Sequence, residues 1–164
     1  MPYQVVVPVV DLTVRGLCPK PYPLHPKGCP NFNKKAGCPP QCLTIEKVLD
    51  LSRPVWAVWN VFDFAGHVAR MREKQPTWSE RQLACCLYWQ PKARGCLRAE
   101  IRKFIDEHCG LTIEACPEAC GVNMTATMAS IGVALEWPPK TVALQIVLAG
   151  SRKQSAPDAA ERKP

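Results

Sequence analysis

The distribution of apolar positions along the chain predicts three β-strands. Residues 3–14 are expected to form the first strand, because Val10, Leu12 and Val14 alternate with Asp11 and Thr13. Pro8 places this strand at a sheet edge or a bulge, because proline has no amide hydrogen to donate. Residues 55–62, VWAVWNVF, form an almost unbroken apolar run, which is typical of a central strand covered on both faces. Residues 141–148 alternate again and are expected to form the last strand.

Helical periodicity and end signals predict five helices in addition to these strands. Three of them begin at residues that suit a helix start, with Thr44 and Asp63 as caps and Pro91 in a first turn. The expected helices cover residues 44–51, 64–74, 77–88, 91–107 and 117–130. The fourth is expected to bury one apolar face, formed by Leu97, Ile101, Phe104 and Ile105.

These elements predict an α/β fold with a small sheet of about three strands, helices packed against it and a long cysteine-rich loop; an α+β arrangement is the alternative. A chain of 164 residues is long enough to bury a core without disulfides, so residues 1–150 are expected to form a single domain. Residues 151–164 offer little to bury and are expected to be a disordered tail. All five tryptophans are expected in the core: Trp56, Trp59, Trp78, Trp89 and Trp137.

One segment, residues 15–43, has the pattern of neither a helix nor a strand. It contains seven prolines, three glycines and four cysteines, namely Cys18, Cys29, Cys38 and Cys42. An irregular loop this long is uncommon in a compact domain unless something other than a hydrophobic core orders it. Free structural cysteines are usually buried among apolar side chains, whereas these lie among lysine, asparagine and proline. We therefore expect the domain of residues 1–150 to bind a metal through these four thiolates.

The chemistry of ten cysteines also depends on the compartment. The N-terminus, MPYQVVVPVVDLTVRG, lacks a basic leader and a small-residue cleavage site, and no stretch approaches the length of a membrane span. We expect a cytoplasmic protein without membrane insertion. Thiols stay reduced there, and clustered cysteines bind metal more often than they form disulfides.

The spacing of the four loop cysteines, C-x10-C-x8-C-x3-C, helps to distinguish a zinc site from an iron–sulfur cluster. A structural zinc ion is usually held by two close pairs, and only one close pair is present here. A four-iron cluster presents its iron atoms at separate corners, so its ligands can come from widely spaced points of a loop. We expect an iron–sulfur cluster of the 4Fe–4S type, with zinc as the alternative, on Cys18, Cys29, Cys38 and Cys42.

A second group of cysteines lies nearer the C-terminus. Cys116 and Cys120 would face a common point if Pro117 begins a helix, and they are further candidate metal ligands. They either complete the first centre, form a second one or are a buried pair. His25, inside the loop, could replace a cysteine as ligand. The remaining cysteines have open roles, as ligands or as small core residues: Cys85, Cys86, Cys96 and Cys109.

Two segments, GCPNFNKKAGCPPQC and ACPEACGVNMTATMASIG, resemble a family of small cysteine-rich proteins of unknown function from bacteria and phages that are predicted to bind metal. In that family a group of proline-followed cysteines near the start and a cysteine segment near the end are taken as ligands. The resemblance implies a metal or iron–sulfur centre and no substrate. It carries over these residues as ligands: Cys18, Cys29, Cys38, Cys42 and Cys116.

The net charge of +7 bears on the choice of partner. Between Leu12 and Ile45 there are no acidic residues and five cations, which are Arg15, Lys20, Lys27, Lys34 and Lys35. Such cations can neutralise a centre of thiolates, attract phosphate groups or simply be solvated. The sequence has no phosphate-binding glycine loop and no nucleophile elbow, so whether the protein is an enzyme stays open.

Three functions are compatible with these features. The first is a cluster protein in electron transfer, or in cluster-based chemistry on a small anionic, nucleotide-like substrate, with that anion or a redox protein as partner. The second is a zinc-stabilised module that binds nucleic acid through the basic loop. The third is a protein whose metal centre is structural and whose surface recruits a partner. The oligomeric state has no signal in the sequence.

Overall fold

The computed structural model describes residues 2–22 and 25–154 of the chain. Within them, a mixed α/β fold contains one four-stranded antiparallel sheet, in the order β1-β2-β4-β3, and five α-helices. The strands are β1 (Tyr3–Val6), β2 (Val55–Asp63), β3 (Thr112–Glu114) and β4 (Val142–Gly150). The α/β prediction is confirmed, and the described sheet has one strand more than expected. The additional strand is β3, whose three residues are too few to produce a recognisable alternation.

The sheet is built on the pairing of its two longest strands. β2 pairs with β4 over nine residues, from Val55 opposite Gly150 to Asp63 opposite Val142. β1 lies on the other side of β2, which makes β2 central and β1 an edge strand, as expected. Apolar side chains on both faces of β2 are buried, which explains its unbroken apolar sequence.

The helices are α1 (Ile45–Val48), α2 (Phe64–Lys74), α3 (Glu80–Leu83), α4 (Cys86–Glu107) and α5 (Met124–Ala129). α2 has the predicted bounds because its signals are local. The carboxylate of Asp63 accepts a hydrogen bond from the amide of Gly66 and so caps the first turn. No helix among the described residues is long and apolar enough to cross a bilayer.

The predicted boundary at Pro91 is wrong, because Pro91 lies inside α4. The break falls at residues 84–85, after the short helix α3, whose first turn is capped reciprocally by Ser79 and Gln82. Leu83 before the break and Trp89 after it are both buried, so packing rather than the proline sets the boundary. A proline inside a helix removes one backbone hydrogen bond, a loss that the burial of α4 outweighs.

Three other predictions from local pattern are corrected by the structure. The first strand stops at Val6, and residues Leu12–Leu17 form a 3₁₀ helix after a bridge between Val10 and Val122. The expected helix 117–130 is a turn followed by α5, because Asn123 caps a new helix start. The backbone of residues 151–153 pairs with residues 48–50 instead of forming a disordered tail. Residues 155–164 of that predicted tail lie outside the described residues.

The two faces of the sheet bury different parts of the chain. One face of β2, with Val55, Ala57 and Trp59, packs in a cluster with residues of α1, α5 and the second cysteine segment. The opposite face packs against α4 through Leu97 and Phe104, whereas Ile105 is exposed. The buried Asn60 joins the layers, since its amide donates to the carbonyl of Ala93 and its oxygen accepts from the amide of Gln145.

His67, on α2, is a buried titratable group. Its side chain lies beside the ring of Phe62, and its Nε2 atom has no hydrogen-bond partner among the described residues. Desolvation lowers the pKa of His67, and the charges of Arg70 and Lys92 lower it further. Because the unfolded chain binds this proton more readily than the folded one, the stability present at neutral pH is lost as the pH falls below about 6.5.

We therefore expect His67→Phe to flatten the pH dependence of stability. The midpoint of urea unfolding of the wild type should fall more between about pH 7.5 and 5.5 than that of the variant, because phenylalanine takes up no proton. All other titrating groups are common to both proteins, so the difference between the two slopes isolates His67. Parallel pH curves would contradict the assignment.

Candidate metal centre

The first two loop cysteines are held together by a backbone hydrogen bond. The amide of Cys29 donates to the carbonyl oxygen of Cys18 over 2.7 Å. Gly28 permits this approach because its φ is +73° and a Cβ atom there would lie 2.5 Å from the carbonyl oxygen of Pro19. Cys18 itself ends the 3₁₀ helix of Leu12–Leu17. A glycine and a short helix thus bring together the backbones of two cysteines that have ten residues between them in sequence.

The second pair of loop cysteines lies on one turn of chain. The amide of Cys42 donates to the carbonyl of Cys38 over 3.1 Å, and the amide of Cys38 donates to that of Lys35. Asn33 supports the turn from outside, since its amide donates to Pro39 and its side-chain oxygen accepts from Gln41. This local turn brings the backbones of Cys38 and Cys42 close together.

The four loop thiols are electrostatic neighbours. All four are half-buried and none forms a disulfide. Burial raises the pKa of Cys18, and the neighbouring thiolates at Cys29, Cys38 and Cys42 raise it further. Negative charge on these sulfur atoms is therefore mutually unfavourable, which a bound cation would relieve.

Arg15 is directed at this group of thiols. Its guanidinium donates to the carbonyl oxygen of Cys42 over 2.8 Å and lies 3.5 Å from the Cys42 Sγ atom. The Cys42 thiol donates in turn to the carbonyl of Ala119, in the second cysteine segment. One basic side chain of the loop, Arg15, thus contacts a cysteine thiol. The four lysines of the loop are exposed: Lys20, Lys27, Lys34 and Lys35.

The second cysteine segment docks against the first by backbone contacts. The amide of Ile45 donates to the carbonyl of Cys120, and the amide of Asp11 donates to that of Gly121. Gly121 has a φ of +87°, a conformation that favours glycine. These contacts therefore anchor the second segment at Asp11 and Ile45, the two residues that flank the cysteine loop.

Cys116 and Cys120 have different surroundings. Cys120 is buried in the core, and desolvation followed by the charge of Glu114 raises its pKa to about 12. Cys116 is exposed, and its pKa is raised by the protein atoms packed against the sulfur and then by the Glu114 and Glu118 carboxylates. The amide of Cys116 is held by a hydrogen bond to the Glu114 carboxylate. Acidic groups thus accompany the second segment, whereas the first loop has none.

The donor set fits a thiophilic metal, since thiolate sulfur is the ligand that zinc and iron–sulfur clusters share. In the part of the chain that the structure describes, however, no three His, Cys, Asp or Glu side chains are grouped to hold a metal ion directly. The thiols are therefore neighbours, but they do not form a complete coordination shell for a metal ion among the described residues.

The remaining candidates do not form a further group of metal ligands among the described residues. Cys96 on α4 and Cys109 after α4 are exposed, Cys85 caps α4, and Cys86 lies within contact distance of His25. Sequence reasoning missed this last contact because 61 residues separate its partners. Trp137, expected in the core, is 66% exposed, since the turn that carries it lies outside the packed elements.

Comparison with known proteins gives no match, either to a family model, to a curated protein or to a solved structure. The resemblance to small cysteine-rich metal-binding proteins therefore stays a prediction. The fold and the arrangement of the thiols are the observations from which a function has to be argued.

We expect Gly28→Ala to separate Cys18 from Cys29. An alanine there combines an unfavourable positive φ with a clash against backbone atoms of Pro19, which no rotamer change can relieve. Amide hydrogen exchange at Cys29, measured by mass spectrometry, should accelerate at least about tenfold. Gly37→Ala is the control, because a Cβ atom at Gly37 in the same loop meets nothing within 4 Å. Equal exchange in both variants would refute the role of Gly28.

Proposed function

We propose that this chain binds an iron–sulfur cluster of the 4Fe–4S type through Cys18, Cys29, Cys38 and Cys42. The observation that carries the proposal is that Cys29, Cys38 and Cys42 lie near enough to Cys18 for their charges to add to the effect of burial in raising the pKa of Cys18. Mutual repulsion among ligands is the expected state of a thiolate site before its cation binds. Arg15 adds a positive charge next to Cys42, which offsets the negative charge of a thiolate-bound cluster.

Iron–sulfur ligation accounts for the form of the loop better than zinc ligation does. In sequence only one pair, Cys38 and Cys42, is closely spaced, and the other two ligands have ten residues between them, although a backbone hydrogen bond joins Cys29 to Cys18 in the fold. Four separate iron corners accept such ligands, whereas one tetrahedral zinc ion usually takes two close pairs. When bound, the cluster would supply a reversible one-electron couple or, at an iron without a protein ligand, a Lewis acid. Cys116 is the candidate for an additional ligand.

The exposed lysines of the loop favour a small anionic substrate or an acidic redox partner. Lys20, Lys27, Lys34 and Lys35 are all exposed, so they are available to a partner in solution. A nucleotide-like anion has the phosphate charge that such a surface would attract. The function proposed is accordingly electron transfer, or cluster-based chemistry on an anion held by these lysines.

The zinc-stabilised nucleic-acid module is the second candidate, and the same lysines favour it. Arg15, which was counted among its phosphate contacts, is engaged with Cys42. If this candidate were right, binding to nucleic acid would weaken steeply with salt, because each phosphate contact releases counterions. Insensitivity to salt, or no binding, would remove it.

The spectrum and metal content of anaerobically purified protein test the proposal. We expect a brown protein with broad absorption near the visible–ultraviolet boundary, about four iron and about four sulfide per chain, and reversible bleaching on reduction. Cys18→Ser should lose at least about half of the iron, since serine is a poorer ligand for iron than thiolate. Cys109→Ser, which removes an exposed thiol outside both cysteine segments, should lose none.

Two outcomes would contradict the cluster, and a third would contradict electron transfer. Colourless protein with stoichiometric zinc would assign the site to the second candidate. Iron retained by serine variants of all four loop cysteines would place the ligands elsewhere. A cluster that no reductant bleaches would exclude electron transfer.

Gly28→Ala tests the same site with every thiol retained. Because it is expected to displace Cys29 from Cys18, it should lower the iron content by at least about half, whereas Gly37→Ala should not. Full iron content in Gly28→Ala, measured beside accelerated exchange at Cys29, would show that the Cys18–Cys29 contact is not needed for the centre.

A further inference from the structure

Cys86 and His25 form a thiol–imidazole pair beside the cysteine loop. The Sγ atom of Cys86 lies 3.9 Å from the Nε2 atom of His25, which is hydrogen-bonding range for sulfur. Cys86 is the first residue of α4, and His25 belongs to the loop, so two distant parts of the chain supply the pair. Neither residue has a role in the proposed cluster.

The imidazole of His25 is held in place by Tyr22. The two residues exchange backbone hydrogen bonds, with His25 N donating to Tyr22 O over 2.8 Å and Tyr22 N donating to His25 O over 3.2 Å. Their rings also pack with centroids 4.6 Å apart. A histidine restrained in this way keeps one ring nitrogen directed at the sulfur, which is what a general base requires.

The surroundings of Cys86 favour a reactive thiol over an inert one. One side of the residue packs against the apolar cluster of Phe62, Phe64 and Trp89, which fixes its position. The residue is nevertheless half-buried rather than enclosed, and it forms no disulfide. It begins a helix of 22 residues, whose N-terminal dipole favours negative charge developing on the sulfur.

We propose that Cys86 is a nucleophilic thiol, activated by His25, that is covalently modified by small carbon electrophiles. His25 Nε2 takes the proton of the Cys86 thiol as the sulfur forms a bond to the electrophilic carbon. The bond from that carbon to its leaving group breaks, and the leaving group departs with the electron pair. No oxidant or reductant enters this step, and no metal takes part in it.

The pair borders the candidate metal centre without being part of it. Burial raises the pKa of the Tyr22 phenol, and the charges of Cys29, Cys86 and Cys18 raise it further. Tyr22 is therefore within electrostatic range both of Cys86 and of the loop thiols Cys29 and Cys18. The covalent chemistry of Cys86 does not rest on the cluster, so the two proposals can fail separately.

Competitive alkylation within one molecule tests the proposal. The purified full chain is treated with substoichiometric iodoacetamide near neutral pH, and the rate at each cysteine is read by peptide mass spectrometry. We expect Cys86 to react at least about tenfold faster than Cys96 and Cys109, although those two are more exposed. Iodide is the leaving group. Cys85→Ser removes the neighbouring thiol, so that alkylation of Cys86 is measured alone.

Variants of the histidine complete the test. His25→Asn removes Nε2 and should lower the Cys86 rate at least about tenfold, while the rates at Cys96 and Cys109 stay unchanged. Gly37→Ala, at a position of the same loop where a Cβ atom meets nothing within 4 Å, should leave all three rates as they are. The rate at the buried Cys120 reports whether His25→Asn remains folded, because general unfolding would expose that thiol to the reagent.

Three results would overturn the proposal. The first is a wild-type Cys86 that reacts no faster than Cys109, which needs no variant to measure. The second is an unchanged Cys86 rate in a folded His25→Asn protein. The third is a Cys86 that resists alkylation until iron is removed with a chelator. Such behaviour would make Cys86 a ligand of the metal centre. Failure of the cluster proposal would instead appear as absent iron, with the ratio of Cys86 to Cys109 unaffected.

Discussion

The nine-residue pairing of β2 with β4 is the constraint on which the rest of the structure depends. Both strands bury side chains on two faces, so the pair separates the chain into two layers. One face receives α1, α5 and the buried end of the second cysteine segment, and the other receives α4. The location of every cysteine group follows from this division, because each group is attached to an element that one face has fixed.

The cysteine loop shows how a segment without a hydrophobic pattern is ordered. Backbone hydrogen bonds join Cys29 to Cys18 and Cys42 to Cys38, and Gly28 allows the closest of these approaches. The loop and the second segment then meet where the Cys42 thiol reaches the carbonyl of Ala119. These contacts gather thiols whose charges repel one another, which is unfavourable unless a cation is bound. The proposed cluster is the cation that suits the spacing of the ligands.

Two kinds of sulfur chemistry would then lie side by side. The loop thiols neighbour other thiols and Arg15, an arrangement that suits metal ligation. Cys86 instead neighbours one imidazole at the start of a long helix, an arrangement that suits nucleophilic attack. The difference arises from the partner that the fold gives each sulfur, since all of these thiols are chemically equivalent in the unfolded chain.

The sequence by itself determined the elements whose signals are local: the apolar run of β2, the capped helix α2 and the proline-rich loop with its four cysteines. Only the tertiary structure decided that Pro91 is tolerated inside α4, that Trp137 is exposed and that His25 meets Cys86. The physical reason is the range of the interactions. A cap or an apolar run acts within a few residues. Burial and contacts between distant segments depend on which layers pack together, and this cannot be predicted from neighbouring residues in the sequence.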